Sequence, residues 1–205
     1  MSYNDFRTQV TYMVTVIEND LEKLKSLAED ANGKISTMSS TTTNETTKAP
    51  GDWVGQSQES RTLINVSRCT IPIAMVCFSV IDMMGQWMKV KHDDDFGSSA
   101  HTFFAELAGR NELSNEDRKQ KIKEYFRHGV MHSFFMRERC SVAYPPYDTN
   151  TLFVDFEINK CTMDVRFLLQ VVQTGMKNML TYLEDETNPK AQQAFNGHQI
   201  WEQAH

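Results

Sequence analysis

From Ile71 to Ile81 the chain is apolar with scarcely a break, and Met83 and Met84 extend the run. At the helical period, Ile71, Ile73, Ala74, Met75, Val76, Cys77, Phe78, Val80 and Ile81 cover every face of one helix. Such a helix must be surrounded by other elements, so it belongs at the centre of a core. The pattern predicts a helix from about Glu59 to Val90, which Pro72 should kink or divide. The run falls short of the roughly 20 residues that span a bilayer. The start, Met-Ser-Tyr-Asn-Asp-Phe-Arg, lacks the apolar stretch of a signal peptide. The expectation is a soluble, cytoplasmic protein. With 205 residues, a single core would bury roughly 70% of the unfolded surface and need no disulfide or metal staple. Nine Gly and five Pro are too few for collagen-like or wholly disordered chains.

The rest reads as elements packed around that helix. Phe6, Val10, Met13, Ile17, Leu21, Leu24 and Leu27 recur at spacings of three and four, which predicts an amphipathic helix over 5–30 stopped at Asn32-Gly33. Residues 35–50 hold nine Ser or Thr, so 32–57 reads as a loop or linker. After a polar turn at 91–97, Ser98 or Ser99 is the expected cap of a helix to about Ala108, with Phe103, Phe104 and Leu107 inward. Ser114-Asn115-Glu116-Asp117 marks the start of a helix reaching Met136. Leu152 to Ile158 alternates like a strand and is expected to pair with 141–144 as a small hairpin. A last long helix spans about 162–186, with Val165, Leu168, Leu169, Val172, Met176, Met179, Leu180 and Leu183 inward, and Asn188-Pro189 ends it. The segments are then an N-terminal helix (1–31), the Ser/Thr-rich loop (32–57), a helical bundle (58–187) and a tail (188–205).

The formal charge is -6, which argues against a protein that coats long duplex DNA. The average hides a basic segment. Arg118, Lys119, Lys121, Lys123, Arg127, Arg137 and Arg139 face only Glu124 and Glu138, giving +5 locally and -11 elsewhere. A polyanion could dock there, although charge alone favours a solvated helix face. Cys69, Cys77, Cys140 and Cys161 form no Cys-x-x-Cys pair, and Cys69 and Cys77 read as buried thiols in a reducing compartment.

The densest chemistry is Tyr125-Phe126-Arg127-His128-Gly129-Val130-Met131-His132-Ser133-Phe134-Phe135. On a helix, Phe126, Val130 and Phe134 face the core while His128 and His132 share another face. Imidazoles exchange protons near neutral pH. Arg127 brings a permanent charge with a fork that fits phosphate oxygens, and Gly129 permits close approach. The set could stabilise a pentavalent phosphate without metal. Two other readings stay open. The histidines can be interface or surface polar groups with Arg127 in a salt bridge, or His128 and His132 can bind a metal with one of Asp93, Asp94 and Asp95, though the Glu of the zincin motif is missing. Nucleotide-binding glycine loops and the Gly-x-Ser-x-Gly elbow are absent.

Arg127-His128-Gly129-Val130-Met131-His132 resembles the Arg-x4-His signature of the HEPN superfamily. Val80-Ile81-Asp82-Met83-Met84-Gly85 is similar to an Ile-Asp-x-x-Gly stretch in a group of bacterial HEPN-like proteins, where a segment like Arg127 to Phe135 follows on a later helix. The resemblance spans about residues 60–185. It implies an all-α, up-and-down bundle of four to five helices, here with a small β-hairpin insertion, that forms a homodimer. It also implies a metal-independent endoribonuclease of the toxin or antiviral-defence kind, with single-stranded RNA as substrate, no cofactor and an antitoxin as a partner. By carry-over, His132 would assist removal of the ribose 2′-OH proton, Arg127 would hold the scissile phosphate, and His128 would orient it. The alternative within the family is a non-catalytic dimeric binding or scaffold protein.

Overall fold

A computed structural model describes residues 1–39, 70–89, 95–127, 140–145, 148–157 and 160–204. They form a mostly helical bundle with one small open sheet. In chain order the helices are α1 (Tyr3–Ser39), α2 (Thr70–Trp87), α3 (Phe96–Thr102), α4 (Glu116–Lys121), α5 (Val165–Leu183) and α6 (Pro189–Ala204). Both α3 and α4 widen into π-helix, over Phe103–Leu107 and Ile122–Arg127. The strands are β1 (Cys140–Ala143), β2 (Phe153–Glu157) and β3 (Lys160–Asp164).

The apolar helix takes the centre. Ile73, Ala74, Cys77, Phe78, Val80, Ile81 and Met84 of α2 are buried, and α1, α3, α5 and α6 pack around it. By length and composition α2 would also suit a membrane span (18 residues, mean hydropathy 1.3), contrary to the sequence expectation, but 61% of it is buried inside the protein. Pro72 stands in the first turn of the described helix, and residues 59–69, with Cys69, lie outside the described residues.

Several boundaries differ from the sequence reading. Helix α1 runs through Asn32-Gly33 to Ser39, so no loop begins at 32; one glycine inside a long helix costs only about 1 kcal/mol. Residues 40–57 lie outside the described residues. The inner stripe of α1 is Tyr3, Phe6, Val10, Val14, Leu21 and Ala28, while Leu27 is 56% exposed. A period of 3.6 drifts off a strict 3-4 alternation, and at the last turn it selects Ala28 over Leu27. The cap of α3 is Asp95, whose carboxylate accepts the Ser98 N–H at 2.9 Å; Ser98 and Ser99 lie inside the helix. Asn115 caps α4 as expected, accepting from Asp117 N at 2.8 Å. The described helix ends at Arg127, and 128–136 lie outside.

The sheet corrects the expected pairing. β1 does not form a hairpin with β2. Instead β3 lies between them, parallel to β1 (Cys140↔Cys161, Val142↔Met163) and antiparallel to β2 (Phe153↔Met163, Phe156↔Cys161). Only residues 158–159 separate β2 from β3, so their pairing closes the shortest loop. Residues 160–164, expected in part as helix, are therefore strand, and α5 starts at Val165. The central strand is buried on both faces: Cys161, Thr162, Met163 and Asp164 are each under 9% exposed.

The stretch after Asn188, read as a tail, is helix α6. Helix α5 ends at Leu183, ahead of the expected Asn188-Pro189 stop, and Asn188 instead opens α6, accepting from Lys190 N at 2.9 Å with Pro189 at the first helical position. Residues of α1 and α6 belong to the same core cluster as α2 and α5. Three glycines set how closely the helices approach. A Cβ on Gly85 of α2 would stand 2.2 Å from the Ser99 carbonyl oxygen, one on Gly197 of α6 would stand 2.0 Å from the Trp87 oxygen, and one on Gly175 of α5 would enter the Phe103 ring.

Candidate functional site

Of the residues singled out by chemistry, Arg127 is the last of the π-helical stretch, and its side chain, like the whole of His128 and His132, lies outside the described residues. How the three stand relative to one another therefore lies outside the described residues. It does describe how Arg127 is approached. The Asn115 cap starts α4, Ile122 is fully buried, and the helix widens from Ile122 onward. Single-turn π stretches interrupt an α-helix at a cost and recur at functional sites. The other π stretch shows how such a turn is held here. The Glu106 carbonyl accepts from Lys190 Nζ at 2.9 Å and that of Leu107 from Asn178 Nδ2 at 2.7 Å.

The basic segment is less open than its composition indicates. Lys119 pairs with Glu116 at 2.6 Å, Lys123 pairs with Asp95, the Arg118 guanidinium donates to the Glu112 carbonyl at 3.5 Å, and Lys121 is only 9% exposed. Arg137 and Arg139 lie outside the described residues. Burial works to raise the Asp95 pKa, but the hydrogen bonds from Lys123 and Ser98 and the Lys123 and Lys89 charges prevail, leaving it below the usual carboxylate range. Asp95 thus acts as a helix cap and ion-pair partner. Asp93 and Asp94 lie outside the described residues. Among the described residues no three His, Cys, Asp or Glu side chains gather as metal ligands. Cys77 and Cys161 are buried, and burial pushes the Cys77 thiol well above its ordinary range.

Sequence reasoning missed the best-defined polar cluster. At the N-terminus of α5, Asp164 is wholly buried; its carboxylate accepts the Phe167 N–H at 3.0 Å and the Thr149 hydroxyl. Burial raises its pKa, against the Thr149 and backbone hydrogen bonds and the Arg166 charge. Two residues on, the Arg166 guanidinium lies over the Tyr144 ring, 4.9 Å from its centroid, and 3.7 Å from Glu29 of α1. The Tyr144 hydroxyl donates to the same Glu29 oxygen at 3.4 Å. Burial and the Glu29 charge hold the Tyr144 phenol above its usual range, so it stays protonated. Gln173 donates to Glu22 at 2.7 Å beside it. The cluster ties α1 to the sheet and to α5; the Asp164 carboxylate and the Tyr144 hydroxyl are occupied within it, while Arg166 Nε is buried with no hydrogen-bond partner among the described residues. An aspartate just before the apolar period of Val165, Leu168 and Leu169 was the signal that could have found it.

No family model matches the chain, and no curated protein or solved structure matches it.

Proposed function

We propose that the chain is a metal-independent endoribonuclease of the HEPN type, cytoplasmic and homodimeric, acting on single-stranded RNA in a toxin-like or antiviral-defence role. The observation that carries this reading is the Arg127-x4-His132 motif following a capped helix that turns π as it reaches Arg127, within a mostly helical bundle. The described bundle supports the fold that the motif implies. Gly85 of the Ile81-Asp82 stretch serves the α2–α3 contact, which gives that position a packing reason independent of catalysis.

In this reading His132 takes the proton of the ribose 2′-OH as its oxygen attacks phosphorus. The bond to the 5′ oxygen breaks, and that oxygen takes a proton from the imidazolium. A 2′,3′-cyclic phosphate and a 5′-hydroxyl end result, and the histidine returns to its starting state. Arg127 neutralises charge on the pentavalent phosphorane, and His128 orients the phosphate. An antitoxin would act by covering this cleft.

Purified protein should cleave single-stranded RNA in EDTA. Arg127→Ala and His132→Ala should each lower the rate at least about 100-fold, the scale of losing a positioned proton acceptor or charge partner, with unchanged circular dichroism. Loss of cutting in EDTA would favour a metal enzyme built on His128 and His132. A folded, dimeric, inactive protein would favour the scaffold reading, which the ion pairing of Lys119 and Lys123 specifically supports by leaving less positive charge for RNA.

A further inference from the structure

His198 lies on the inner face of α6 and is 6% exposed. Its ring centroid is 4.8 Å from Phe6 of α1, 5.2 Å from Trp87 of α2 and 6.5 Å from Trp201. Nδ1 is buried and has no hydrogen-bond partner among the described residues, and Nε2 lies 3.7 Å from Glu202, which is 45% exposed. Of the other bulky residues of α6, Phe195 sets its ring 5.6 Å from Tyr3 and 5.5 Å from Phe6 of α1. Ala191 and Ala194 are the fully buried apolar residues of α6, Phe195 and Trp201 are partly buried, and Gly197 brings the α6 backbone against that of Trp87. One turn earlier, Gln193 donates to the Met88 carbonyl. The imidazole thus shares the contact to α1 with Phe195 and supplies the ring contact to Trp87 of α2.

We infer that His198 is an acid-sensitive latch: neutral, it seats α6 on α1 and α2, and protonated, it releases that helix while the rest of the bundle stays folded. An imidazolium in this apolar box would lose its hydration with one half-exposed carboxylate in return. The charged groups that reach it are Glu202 on its own helix and the amine of Met1 from α1, while α2 presents the neutral Trp87. Burial, aided by the Met1 amine, lowers its affinity for protons in the folded state, and Glu202 only partly offsets this. The seated helix therefore binds a proton less readily than the released one, and docking weakens as pH falls below 6.5, the ordinary imidazole value. Helix α6 is the C-terminal helix of the described bundle and has few large fully buried side chains, so it can open without taking the α2–α5 core with it.

The test is amide hydrogen exchange of the full chain between about pH 7.5 and about pH 5, the range an imidazole switch covers, corrected for intrinsic exchange rates. Protection in α6 should fall as the pH drops below the ordinary imidazole value, by no more than about tenfold per pH unit for one linked proton, while α5 keeps its protection, and His198→Gln should abolish the fall. Constant protection in α6, an equal loss in α5, or the same loss in His198→Gln overturns the latch. If that variant does not fold, the imidazole titration of the wild-type protein decides: a midpoint below 6.5 supports the latch, and one at or above it overturns it.

Discussion

Asp164 is the only acidic side chain among the described residues that is buried, and it shows what a single carboxylate contributes here. It caps α5, holds Thr149 and ends the central strand, so three elements meet on two oxygens. Asp164→Ala should destabilise the protein by about 2 kcal/mol, the upper range for a lost cap, read as a shifted midpoint in urea. Asp164→Asn keeps an acceptor for the Phe167 N–H but cannot titrate. Because the folded-state pKa is raised, the native aspartate takes up a proton on folding, and its contribution is greatest below 3.8 and declines as pH rises through the folded value. The stability of Asp164→Asn relative to wild type should therefore improve from about pH 3.5 to pH 7, a window set by that linkage; paired urea titrations across the range would measure it. Capping was only partly legible in the sequence. Asn115 stood out because an acidic first turn followed it. Asp95 was masked by belonging to a run of three aspartates, and Asp164 by a strand whose Thr162 and Met163 suit a helix equally well.

At the scale of elements, large apolar residues fill the core and glycine sets how closely the helices can approach. On an exposed helix, glycine to alanine would stabilise by about 1 kcal/mol. At Gly85 and Gly197 the added methyl meets backbone oxygens at 2.2 and 2.0 Å, which no rotamer change relieves. Gly85→Ala and Gly197→Ala should each destabilise by about 1–3 kcal/mol, as overpacked cores do, and thermal melts would show lowered midpoints for both. The helices themselves were readable because α2 and α5 bury aliphatic residues at the helical period. The sheet order was not. Alternation identifies a strand but carries no information on its neighbour, and the choice between β1–β2 and β2–β3 rested on loop lengths that became visible only once 160–164 was known to be strand.

On the scale of the whole molecule, α6 closes the bundle, and its sequence concealed this. Its inner face is Ala191, Ala194, Gly197 and His198, small or polar residues that leave only a weak apolar period. Small residues permit close approach, so the burial falls on the partners Phe6 and Trp87, fully or nearly buried on α1 and α2. The candidate ribonuclease residues were legible as a motif in the same chain because such chemistry depends on residue type and spacing, whereas docking depends on which surfaces meet. Deleting residues 188–205 should therefore uncover Phe6 and Trp87 while leaving the α2–α5 contact and the Gly85–Ser99 contact in place. Exposing two large aromatics forfeits about 2 kcal/mol each, a substantial part of a typical 5–15 kcal/mol net stability. The shortened chain should keep its helical circular dichroism at pH 7, bind an apolar dye, and show Trp87 emission shifted to the red. It should thereby resemble the intact protein in acid, without the response to pH that His198 confers. A shortened chain that melts at the wild-type midpoint and binds no dye would mean that α6 contributes nothing to closing the core.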